Sequence, residues 1–156
     1  MTALFQPLDD AVSAIMHGIP WHSQSGAPDT LEGLTAIYRE TGRIAVSPEH
    51  SGDTIFGSPR INHMARAWHD WHHVHLQAPF NLKGGLAVYH AQTADLRRFL
   101  ENMRIFRRCR DILFADVVGQ TFYNALHGTF PVNQRAFVKA FLADGERAIM
   151  SREFSE

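Results

Sequence analysis

The residues best able to do chemistry in this chain are histidines, and they are concentrated. Ten occur in all, and five of these lie between His63 and His75. His69 and His73 are four apart, so on a helix they project side by side from one face. H-x-x-x-H pairs hold a metal ion from a rigid helix by this spacing, and neutral imidazole suits zinc or iron. Where H-E-x-x-H proteases carry a glutamate base, this chain has Asp70. Its shorter carboxylate is better placed to orient an imidazole such as His73 than to deprotonate water. The competing reading of the pair is a hydrogen-bonded buried cluster that fixes helix packing. His72 and His75 read as packing at the edge of the core, and Trp68 and Trp71 as packing anchors.

Two histidines leave a metal site half built. Asp116 and Gln120, four apart in the run Leu113–Gln120, are the expected companions. A carboxylate in so apolar a run must be paired, hydrogen-bonded or metal-bound, because burying it alone is costly. Asp116 is therefore the expected third ligand, with His90 as the other source and Gln120 lining the site. Arg66 lies one turn before His69. It is expected to hold a substrate carboxylate or phosphate, or to pair with Asp70 or Asp116. An open coordination position would carry water of lowered pKa, so the chemistry implied is single-metal-dependent hydrolysis. Too few glutamates are present for a di-iron site.

These residues need helices to position them. Leu4, Leu8, Ala11, Val12 and Ile15 predict an amphipathic helix within 1–20, with Asp9 and Asp10 outward. A polar loop at 21–29 leads to a helix from Asp29 or Thr30 to about Glu40, closed by Gly42. Residues 43–60 hold the β-prone runs Ile44–Val46 and Thr54–Phe56, read as a small hairpin or an extended loop. From Ile61 the helical period is strong until Pro79. Further helices are expected from Leu82 to about Arg107, over 109–127 and over 133–151. Gly119, inside one of them, is expected to let another helix approach closely. The fold class is thus mainly α: one domain over residues 1–156, a bundle of about five to six helices with a small extended excursion at 43–60.

The segment Asn62–His73 resembles a signature of bacteriophage, prophage and mobile-element proteins, related to segments of phage polyvalent proteins. The signature reads N-x-x-[FA]-R-A-[VW]-H-D-x-x-H, then F-x-x-x-G-E, E-x-x-G-Q and F-P-x-x-Q-R-x-F. Its later elements correspond here to Phe80–Gly85, Asp116–Gln120 and Phe130–Phe137. The resemblance covers about residues 60–138 and implies a histidine-rich polar site. Two departures matter: Gly85 stands in the place of a glutamate, and Asp116 in the place of another. Both losses favour a binder over an enzyme.

That makes a non-catalytic interaction protein, engaging a host or phage partner, the second reading. A third is nucleic-acid contact through the basic stretch Arg97–Arg110, in which Arg104 and Arg108 share a face with Arg97. A net charge of −1 does not advertise such a partner. The single Cys109 excludes an internal disulfide and multi-cysteine zinc modules. No apolar run approaches the ~18 residues of a membrane span, and no basic-then-apolar leader opens the chain. The expectation is a cytoplasmic protein. Gly-rich nucleotide loops and the G-x-S-x-G elbow are absent.

Overall fold

The computed structural model describes residues 1–49 and 51–155. The chain is mainly α. Helix α1 spans Gln6–Met16, α2 Leu31–Thr41, α3 Pro59–Leu76 and α4 Leu82–Phe99. Helix α5 spans Met103–Phe114 and continues through a π turn, Ala115–Gly119, into α6, Gln120–His127. Helices α7, Gln134–Ala143, and α8, Gly145–Met150, complete the set. One apolar core runs through nearly all of them, from Leu8 and Val12 on α1 through Trp68, Leu96 and Ile112 to Phe137 and Phe154.

The boundaries follow from caps. Ser58 accepts the amide of Ile61 and Pro59 follows it, so α3 begins just before the expected Ile61. Gly42 and Gly128 close α2 and α6 in the left-handed conformation, where a Cβ is unfavourable. Asn102 caps α5 and Asp144 caps α8. These caps explain a difference from expectation. The continuous helix to Arg107 breaks over Leu100–Asn102, and the last helix breaks at Asp144. Apolar periodicity carried straight across both caps.

The excursion at 43–60 also differs. Strand β2, Ile44–Val46, does not pair with Thr54–Phe56. It runs parallel to strand β1, Trp21–Ser23, with Trp21 opposite Ile44 and Ser23 opposite Val46. Helix α2 forms the crossover between them. All three β2 residues are buried, as a covered parallel strand requires. Asp9 is a second correction, since it lies inward. Its carboxylate accepts the amide of Gly57 at 2.8 Å and is 5% exposed. Burial raises its pKa, against the pull of that hydrogen bond.

Candidate functional site

Helix α3 brings His69 and His73 together. Their Nε2 atoms are 3.0 Å apart, and the rings meet edge to face. Each ring is held from behind. Nδ1 of His73 lies 2.8 Å from the carbonyl oxygen of Ala78, and Nδ1 of His69 lies 3.3 Å from Oε1 of Gln92 on α4. A backbone carbonyl can only accept, so His73 carries its proton on Nδ1, whereas the Gln92 amide can face His69 with its oxygen or its NH2 group. With the Gln92 oxygen toward His69, both Nε2 lone pairs face each other. His73 is buried and Phe80 packs over it, with ring centroids 4.4 Å apart. Burial, and then His73, push the His69 pKa down to about 3. Burial also lowers that of His73, against the hydrogen bond to Ala78.

Beside this pair stands a second constellation. Asp95 Oδ2 accepts Nε1–H of Trp68 at 3.0 Å and lies 2.7 Å from Nε2 of His72. Burial alone would raise the Asp95 pKa, but the hydrogen bonds from His72 and Trp68 outweigh it and hold the carboxyl below its ordinary value. His72 is therefore a partner of Asp95 as well as a packing residue. Gln92 and Asp95, three apart on α4, answer His69 and His72, three apart on α3. That matched spacing was the available signal for Asp95.

The other expected site residues lie elsewhere. Asp116 sits on the π turn, where Gln120 Nε2 donates to its Oδ1 at 2.7 Å. Burial raises its pKa to about 7, with the Gln120 hydrogen bond opposing. Asp70 is likewise raised to about 7 by burial, with the Arg66 charge opposing. It does not orient His73, whose Nδ1 is taken by Ala78. Arg66 donates to the carbonyls of Ser47 at 2.8 Å and Glu49 at 3.0 Å, so it anchors that segment. His63 Nε2 meets Ser51 Oγ at 2.6 Å. His90 is exposed beside Tyr89, and Arg104 and Arg108 are exposed on α5. His50 lies outside the described residues.

Among the described residues, no group of three or more His, Cys, Asp or Glu side chains is spaced to hold a metal ion. The expected set of His69, His73, Asp116 and His90 thus does not close, and only the first two meet. The reason is the fold: Asp116 turns to Gln120, and His90 leaves α4 on the face away from Gln92. No described helix is long and apolar enough to cross a membrane. No protein-family model, curated protein or solved structure matches the chain.

Proposed function

We propose that the protein binds one divalent transition-metal ion, zinc or iron, between Nε2 of His69 and Nε2 of His73, as a hydrolytic centre. One observation carries this. The Nε2 atoms of two imidazoles lie 3.0 Å apart, with His73 Nδ1 on the Ala78 carbonyl and His69 Nδ1 on the Gln92 amide oxygen. Such a contact is made either by an Nε2–H on one ring or, where both nitrogens are bare, by a cation between the lone pairs. A second proton on His69 is disfavoured at neutral pH because burial pulls its pKa down to about 3. Metal-bound histidines typically donate their other N–H to a carbonyl or carboxylate, which is the arrangement Ala78 and Gln92 provide. Bonds of about 2.0–2.1 Å to each nitrogen ask the pair to part by only a few tenths of an ångström. The chain supplies two ligands here, one short of the usual three, and an ion bound there would supply water of lowered pKa. Gln92 and Ala78 fix the rings, and Phe80 shields His73 from solvent. The signature around His69 and His73 supports a phage-type origin on the same footing.

The test is elemental analysis of untagged protein together with ¹⁵N NMR of the imidazoles. Near-stoichiometric zinc or iron is expected, lost in His69→Ala and His73→Ala, with Nδ1–H tautomers on both rings. A Gln92 amide turned to donate to His69 would instead give one Nε2–H tautomer and a neutral chain. That tautomer, in a folded protein that takes up no metal, overturns the reading. The cluster would then be the packing network of an interaction protein.

A further inference from the structure

Helix α6 sits in a stretch without charge. From Val117 to Gln134 the sequence has no Asp, Glu, Lys or Arg, although these make up 20% of the chain. Tyr123 is buried on one side of α6, and Phe122, Ala125 and Leu126 are exposed on the other. The loop after Gly128 is apolar as well. Phe130 and Val132 stand out to either side of the buried Pro131. The amide of Val132 donates to the carbonyl of Phe154 at 2.8 Å, which holds the loop in place. Leu86 joins from α4, because a Cβ on Gly85 would lie 3.6 Å from Thr121 Oγ1, and that turn of α4 therefore lies against α6. Leu86, Phe122, Leu126, Phe130 and Val132 are each between 40% and 61% exposed.

We infer that this face binds a second copy of the chain across a two-fold axis, α6 against α6. Half-exposed side chains of this size present together on the order of 400 Å² of apolar surface, as much as the largest patch of a typical monomer. Two copies face to face cover roughly 800 Å² from these side chains alone. With a polar rim, begun by the exposed Lys83 one turn before Leu86, the total approaches the ~1,200 Å² at which specific interfaces start. Charge selects the occupant. In a two-fold interface a patch meets itself, so any charge near the axis faces its own like. The exposed face of α6 has none to repel, and the small Ala125 beside Phe122 lets a second helix approach closely. An anionic bilayer is gripped by clustered Lys and Arg, which this face lacks. The inference does not depend on the histidine pair.

The experiment is analytical ultracentrifugation of the full chain over a series of concentrations. The mass is expected to rise with concentration from 17.6 kDa toward twice that value and to stop there. Leu126→Glu should weaken association by roughly tenfold or more, with an unchanged far-ultraviolet circular dichroism spectrum. Phe99→Glu, an equally exposed apolar position at the opposite end of α4, should leave association unchanged. A second arm mixes the chain with phosphatidylserine-containing vesicles. A monomer at every concentration overturns the inference. A dimer that survives Leu126→Glu overturns the choice of face. Equal losses from Phe99→Glu and Leu126→Glu also overturn it, because they report general stickiness. Sedimentation with the vesicles, abolished by Leu126→Glu in a chain that stays monomeric without them, overturns the second copy in favour of a membrane surface.

Discussion

Asp116 shows how a single side chain sets a pH response. Its ordinary pKa is 3.8, and in the folded chain burial raises it to about 7. Between those values the unfolded chain has released a proton that the folded chain keeps. Raising the pH across this window therefore favours unfolding. The stability tied to this group is complete below pH 4 and lost by pH 8. Asp116→Asn keeps an oxygen for Gln120 and removes the titration. At pH 8 it should stabilise the protein by about 1–3 kcal/mol relative to its effect at pH 4, measured by urea melts at both pH values. An equal effect at the two pH values would show that Asp116 does not titrate in this window. Sequence reasoning reached Asp116 through its apolar run, and it reached His69 and His73 through their spacing. It missed Asp95 and the Ala78 carbonyl as partners. A helix face says which side chains project together, and their partners depend on how a second helix crosses it.

Two glycines make the same point for elements. A Cβ on Gly119 would come within 2.9 Å of the Phe141 ring, so the close helix approach expected from its mid-helix position is present. A Cβ on Gly85 would meet Thr121 Oγ1 at 3.6 Å, an ordinary contact. Gly119→Ala should cost about 1–3 kcal/mol through overpacking. Gly85→Ala, freed of glycine's backbone entropy within α4, should stabilise by about 0.5–1 kcal/mol. Thermal unfolding of both variants checks this, and the same sign for both would refute the packing assignment. Helix existence was legible throughout, because apolar residues recur at helical spacing from Leu8 to Ile149. The breaks at Leu100–Asn102 and Asp144 were not, because a capping Asn or Asp looks like any polar surface residue until its side chain turns back. The β1–β2 pair escaped for a different reason: parallel pairing joins Trp21 to Ile44 across a whole helix, and no local pattern announces it.

At the scale of the molecule, Arg135 joins segments far apart in the chain. Its amide donates to the carbonyl of Asp53, its Nε to that of Thr54 at 3.0 Å, and its Nη2 to that of Thr2. The bonds to Thr54 and Thr2 span 81 and 133 residues. Closing loops of that length costs chain entropy before any contact repays it, so such links tend to form after the folding barrier. Helices α3 to α6, with their many local contacts, can assemble first. Replacing Arg135 with Met should therefore hasten unfolding severalfold and leave the refolding rate nearly unchanged, as stopped-flow chevron arms would show. A matching slowdown in refolding would place Arg135 in the nucleus instead. The side chain thus behaves as a latch, fastened last and released first, so that its main effect is on how long the native state lasts once made.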